Sequence, residues 1–206
     1  MKNHYGRMLL LVISILVFAG CASVPHAKKT VITREVTLAP GQTVELPTPD
    51  KLGFDKVTAT QILTAEYQVD GRPSSYTTQV QIEKTPKRLV LVAVAGWGGE
   101  IFSIDYQGEK IDASSLPMPN SSMGIQHVLS DFIFTYAPDT LLKTLLKSTD
   151  IRLVIKKNER QFLLKDKPIL TIQYQYNNPW KGNVVLHNAV LNYTIKISTI
   201  SFSNGK

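Results

Sequence analysis

The sequence predicts an α+β domain in which an antiparallel sheet is covered by a pair of helices, and three observations predict it. Apolar and polar residues alternate in several runs between residues 61 and 106. After Pro119 the apolar spacing changes to three and four residues, and beyond Asp150 the alternation resumes.

The elements follow in order. Residues 22–36 read as a linker, and 37–56, with Pro40-Gly41, Pro47 and Pro49, as a turn-rich stretch with at most one short strand. Gln61–Val69 places Leu63, Ala65, Tyr67 and Val69 on one face, the period of a half-buried strand, and Asp70-Gly71 is a hairpin signal. Tyr76–Glu83 aligns Tyr76, Val80 and Ile82, and the uninterrupted apolar run Leu89–Ala95 predicts a strand covered on both faces. Ile101–Tyr106 aligns Phe102, Ile104 and Tyr106, and after the turn Gln107-Gly108-Glu109 a short strand returns from Ile111. Consecutive strands joined by short turns make an antiparallel meander.

Ile125, Val128, Leu129, Phe132, Ile133 and Tyr136 then form a wide apolar stripe on a helix, with Asn120, Ser121 and Ser122 available to cap it. Pro138 stops that helix and can open a second, whose edge is Leu141, Leu142, Leu145 and Leu146. Strands are expected again at Ile151–Ile155, Gln161–Leu164 and Ile169–Tyr176, followed by one long strand from Val184 to Phe202. Past Ile197 its apolar phase slips to Ile200 and Phe202, which predicts a bulge or a strand end.

The N-terminus is an address. Lys2, His4 and Arg7 precede the 11-residue apolar run Met8–Phe18, and Ala19-Gly20 leads directly to Cys21, the single cysteine of the 206-residue chain. That is the order of a secretory signal peptide, and 11 residues fall well short of the roughly 20 a spanning helix needs. Phe18-Ala19-Gly20-Cys21 resembles the bacterial lipobox, with Phe18 where leucine is usual. The expected organisation is a signal peptide over residues 1–20, acylated Cys21 and linker over 21–36, and one domain over 37–206. Removal of residues 1–20 takes Lys2 and Arg7 from the 23 basic side chains and none from the 16 acidic ones, so the mature chain stays basic. Export removes nucleic acid as a partner and leaves anionic membrane surfaces. Ala22, rather than aspartate, after the lipobox cysteine implies sorting to the outer membrane. Acyl chains on Cys21 would then anchor the protein there, at the periplasmic face.

The order of lipobox, linker, meander, central helical pair and further strands resembles the LolA/LolB group of lipoprotein-handling proteins. It is most similar to a LolB-like family of lipoproteins encoded in aryl-polyene gene clusters. The local matches are Leu89–Gln107, two strands around a Gly-Trp-Gly turn, and Gln126–Leu146, where Tyr136-Ala137-Pro138 stands for a Gly- and Pro-bearing connection. The resemblance implies a strongly curved half-barrel with the helices on its concave face and an apolar cavity for acylated or polyene cargo. It also implies delivery of that cargo to the outer membrane, with a periplasmic LolA-like carrier as a partner. Phe102, Ile104, Phe132, Ile133, Tyr174, Ile195 and Ile197 are the expected lining residues, and each doubles as a core residue. Trp97, with Gly96 and Gly98, takes the place of the membrane-inserting turn. The residues themselves leave open whether Trp97 touches a bilayer or folds back over its hairpin. Trp180, in the loop Asn177–Gly182, is a second surface-aromatic candidate.

No catalytic constellation emerges, and no metal or organic cofactor is expected. No two histidines stand at a metal-ligand spacing, and neither a nucleophile elbow nor a phosphate loop is present. His127 and Asp131 are four apart and read as a hydrogen-bonded pair on a helix surface. A carrier with a cavity and a structural scaffold lipoprotein with a filled core both remain open on the residues alone.

Overall fold

The computed structural model describes residues 28–96, 98–116 and 124–205. Thirteen strands lie among them: β1 Lys28–Ile32, β2 Glu35–Ala39, β3 Gln42–Glu45, β4 Val57–Val69, β5 Arg72–Thr85, β6 Arg88–Val94, β7 Glu100–Gln107, β8 Lys110–Ser115, β9 Ile151–Lys156, β10 Glu159–Leu164, β11 Lys167–Tyr174, β12 Asn183–Asn188 and β13 Tyr193–Asn204. Two helices, α1 Ile125–Tyr136 and α2 Asp139–Leu145, separate β8 from β9.

Eleven strands form one open antiparallel sheet in the order β1-β8-β7-β6-β5-β4-β13-β12-β11-β10-β9, and β2 and β3 pair separately as a hairpin. Two hairpin-connected meanders, β4–β8 and β9–β13, are thus joined where the long strands β4 and β13 meet, with Ala65 opposite Ile195 and Leu63 opposite Ile197. The β4–β5 connection is the two-residue turn Asp70-Gly71 with φ of 50° and 74°, the left-handed pair that matches the twist of the flanking strands.

The sheet is curved around α1. Eight strand spacings of about 4.8 Å separate β8 from β10, about 38 Å if laid flat. Yet a 12-residue helix, about 18 Å long, packs on β8 and receives Arg160 of β10 on its last carbonyls. Enclosure explains the burial of α1: Ile125 and every residue from Leu129 to Tyr136 are buried, polar ones included. Phe134 packs on Phe162 of β10 with ring centroids 5.1 Å apart, on the side away from β4 and β5.

Several sequence expectations change. The stretch read as a linker holds β1, which pairs with β8, and the start of β2, and β2 and β3 form a hairpin where residues 37–56 were expected to hold at most one short strand, because Val36, Val44 and Leu46 find burial in the common core. The single strand expected from Val184 to Phe202 is two, β12 and β13, reversing through a turn at Asn192 with φ 52°. Val90, Val92 and Val94 of β6 are only half-buried, since the outer face of the sheet carries no second layer. The slip past Ile197 is a register shift between Thr199 and Ser201 that leaves Ile200 exposed. At the start of α1 the N-cap position is Gly124, without a side-chain cap, and Asn120, Ser121 and Ser122 lie outside the described residues.

Candidate functional site: an apolar cavity under the first helix

A cavity of about 100 Å³ lies between α1 and the inner face of the sheet. Val128, Asp131, Phe132, Thr135 and Tyr136 of α1 form one wall. The other walls are Gln61, Leu63 and Ala65 of β4, Tyr76, Thr78, Val80 and Ile82 of β5, Leu91 of β6, Ile101 and Phe102 of β7, Leu186 of β12, and Ile195 and Ile197 of β13. The period of two places most of these side chains here, since alternate residues of a strand point inward, and the adjacent pair Ile101 and Phe102 lies at the register shift opposite Ala93 and Val94.

Each polar side chain in that lining, Tyr76 aside, is already engaged. The Gln61 amide donates to the Tyr136 hydroxyl at 2.8 Å and to Thr199 Oγ1 at 3.0 Å. Thr78 Oγ1 donates to the Val94 carbonyl at 2.7 Å, and Thr135 Oγ1 to the Asp131 carbonyl at 2.7 Å. Asp131 Oδ2 accepts from the Tyr193 hydroxyl at 2.6 Å, and Asn188 Nδ2 also reaches that hydroxyl at 3.3 Å. Buried polar groups satisfied within the protein offer little to a guest, so what the cavity presents is hydrocarbon. Burial pushes the Asp131 carboxyl up from 3.8 to about 7, against the Tyr193 hydrogen bond that pulls it down, and the same environment pushes the Tyr193 phenol up.

The ends of the cavity differ. At the end near Tyr136, Trp180 is buried and stacks on Tyr136 at 3.9 Å and 21° and on Phe202 at 5.3 Å and 18°, while Phe54 meets its edge at 5.6 Å. Lys84, buried beside it with Nζ 5.5 Å from the Phe54 ring centroid, donates to the Thr85 carbonyl, and desolvation lowers its pKa. At the opposite end Tyr76 is 39% exposed, and the β6–β7 turn lies close by. That turn is closed by Ala95 N–H to Gly99 O at 2.9 Å and Gly98 N–H to Ala95 O at 2.8 Å. Gly98 holds φ at 88°, where a side chain is strained.

The C-terminus of α1 is pinned. Arg160 Nη1 donates to the Phe134 and Thr135 carbonyls at 2.8 and 3.1 Å, its Nη2 pairs with Asp139 at 2.8 Å, and the Tyr174 hydroxyl donates to Thr135 O at 2.9 Å. A cation placed on the last carbonyls also complements the helix dipole.

The structure brings Phe102, Phe132, Ile195 and Ile197 together in the cavity. Ile104 and Ile133 are fully buried in the surrounding core instead, and Tyr174 stands beyond the end of α1, under Arg160. Gly96 and Gly98 sit in the β6–β7 turn; Trp97 and Cys21 lie outside the described residues. Trp180 is buried, stacked behind Tyr136, and not a surface aromatic. Asp131 turns to Tyr193 and not to His127, because α1 is enclosed rather than laid on a surface. The engaged polar residues Gln61, Thr78, Tyr193 and Asn188 escaped the sequence reading. The detectable signal was a polar residue standing in the apolar phase of its strand, as Gln61 does with Leu63 and Ala65. Among the described residues no group of three or more His, Cys, Asp or Glu side chains could hold a metal ion.

No curated protein matches this chain. Among solved structures it is similar to a LolA superfamily protein from Nitrosomonas europaea at 8% identity and TM-score 0.43, covering 77% of this chain and 90% of that one. It is also similar to a putative outer membrane lipoprotein-sorting protein domain from Vibrio parahaemolyticus at 10% identity and TM-score 0.39, covering 76% and 88%. The family described as "Protein of unknown function (DUF3261)" matches residues 58–201, a span running from β4 to β13 that includes every residue lining the cavity, and this chain belongs to that family.

Proposed function

We propose that this protein is a non-enzymatic carrier of acylated or lipid-like cargo, tethered through Cys21 at the periplasmic face of the outer membrane. The observation that carries the reading is the cavity itself, walled by aliphatic side chains and by polar groups already hydrogen-bonded within the protein. Such a wall suits a hydrocarbon chain and gives little purchase to a polar substrate. At about 100 Å³ the cavity is smaller than the roughly 300–1,000 Å³ of ordinary ligand sites. A whole acyl chain therefore needs α1 to lift. Its C-terminus is held by Arg160, whereas among the described residues its N-terminus has no side-chain cap, so the lifting end is the one beside Tyr76.

The small volume also favours a second reading, a scaffold lipoprotein whose inner face is essentially filled. Mass spectrometry separates the two. The domain from residue 22 onward, secreted to the periplasm and purified without detergent, is measured in the native state and after organic extraction. A stoichiometric acyl or polyene adduct is expected, and it should be lost in Ala65→Phe, which fills the cavity. A clean apo mass together with failure to take up a fluorescent fatty acid would leave the scaffold. The denatured mass of the full chain, read alongside, is expected to carry the acyl adduct on Cys21.

A further inference from the structure

The basic excess of the chain is unevenly placed. Residues 28–116 carry ten Lys and Arg against eleven Asp and Glu, whereas residues 124–205 carry ten against five. Most of the latter cations fall on α2, β9, β10 and the turns between β9 and β11, which form one margin of the sheet. Among the described residues that margin is free: β9 pairs with β10 on one side and with no strand on the other.

A groove of about 460 Å³ runs along this edge between α2 and β9, lined by Lys143, Leu146, Lys147, Ile151, Arg152 and Leu153. Lys143, Lys147 and Arg152 are exposed. Of the three, Arg152 is paired, with Asp166 at 2.6 Å. Asp150, also in the groove, is engaged by Gln42, whose amide donates to Oδ2 at 3.3 Å and whose Oε1 accepts from its N–H.

We propose that this groove is a docking site for an extended acidic segment of a partner protein, added to the sheet as a strand beside β9. A free strand edge supplies a row of backbone donors and acceptors, which an extended peptide satisfies and a lipid headgroup layer does not. Cations along an edge oppose pairing with neutral or basic strands, so the same charges that guard the edge select an acidic occupant. Leu146, Ile151 and Leu153 give alternate side chains of that occupant an apolar floor. The site is separate from the cavity under α1, and the proposal stands whether or not the cavity holds lipid.

The test uses the full chain and a fluorescent ten-residue peptide alternating Glu with Val and Thr, with a Lys-for-Glu counterpart and a version N-methylated at alternate amides. Anisotropy is expected to show saturable binding of the Glu peptide that weakens with added salt. Binding should be absent for the Lys peptide and lost on N-methylation. In Lys143→Glu/Lys147→Glu, both exposed positions, it should weaken by about tenfold or more. No binding of the Glu peptide overturns the proposal, as does binding indifferent to N-methylation, which would be charge attraction alone. Phosphatidylglycerol vesicles that bind with the same lysine dependence and displace the peptide would reassign the face to a membrane. Self-association of the chain abolished by the double substitution would reassign it to a second copy.

Discussion

The two ends of the cavity are built from different materials. The end at Tyr136 is backed by aromatic rings from four separate elements: Tyr136 of α1, which lines the cavity, and behind it Trp180 of the β11–β12 loop, Phe54 after the first short helical turn and Phe202 of β13. Among the described residues the end at Tyr76 is bordered by that side chain and its aliphatic neighbours. A stack fastened from four directions resists opening, because Trp180 at its centre is held by the three others. One helix can therefore be fixed at one end and free to move at the other. The most severe way to break this contrast is Trp180→Ala. Removing a buried indole is expected to cost about 3–5 kcal/mol, read as a lower urea midpoint at unchanged slope, with uptake of a fluorescent fatty acid becoming less selective for chain length. A loss below about 1 kcal/mol, the scale of a surface change, would mean that the stack does not seal the cavity.

Asp131 stands between the two ends, on the wall of the cavity, and offers a graded probe. Its carboxyl sits at about 7 in the fold against an ordinary 3.8, so the folded state holds its proton across a window in which the unfolded chain has released it. Its contribution to stability is therefore full at low pH and falls as pH rises from about 4 to about 7. His127, one turn earlier, is shifted downward by burial and gives the opposite slope, so the informative quantity is the difference between wild type and Asp131→Asn. That difference is expected to decline across the window by about 1–3 kcal/mol, the scale of a buried polar group, measured by calorimetry in a pH series. A flat difference would show that Asp131 is solvated through the cavity and that the helix is already lifted.

The first meander was legible because hairpins are local: Asp70-Gly71 and Gln107-Gly108-Glu109 carry their own turn chemistry, and α1 declares itself by six apolar residues at helical spacing, whereas the β12–β13 reversal in the second meander read as one long strand. What periodicity could not carry is contact between distant segments. The pairing of β4 with β13 joins residues about 130 positions apart, and nothing in either strand names its partner. The same limit governs the site. Phe102, Phe132, Ile195 and Ile197 lie in the cavity while Ile104 and Ile133 lie behind it, because an apolar phase marks the inner face without distinguishing a wall from a filling. Trp180 looked exposed because its neighbours Asn177, Asn178, Pro179, Lys181 and Gly182 are turn formers. Its burial depends on Tyr136 and Phe202, which arrive from elsewhere in the chain. β1 and β2 were missed for a related reason, since strands of five residues are too short to show a period and are stabilised by the surfaces they reach.

The mildest substitution sharpens the comparison most directly. Tyr76 lies at the open end, 39% exposed, and burial raises its phenol pKa, with Tyr67 adding to the shift. Because its ring is partly in water already, Tyr76→Ala is expected to cost about 1 kcal/mol or less, the range of partly exposed positions. If the mouth is where hydrocarbon enters, that small change should speed both uptake and release of a fluorescent fatty acid in stopped-flow mixing while leaving the affinity nearly unchanged. A barrier lowered for entry is lowered equally for exit, so both rates should rise together. A variant that changes the affinity through the release rate alone, with uptake unchanged, would place Tyr76 in contact with the bound chain, and entry would then have to be sought along the half-buried first turn of α1 at Gln126–Val128.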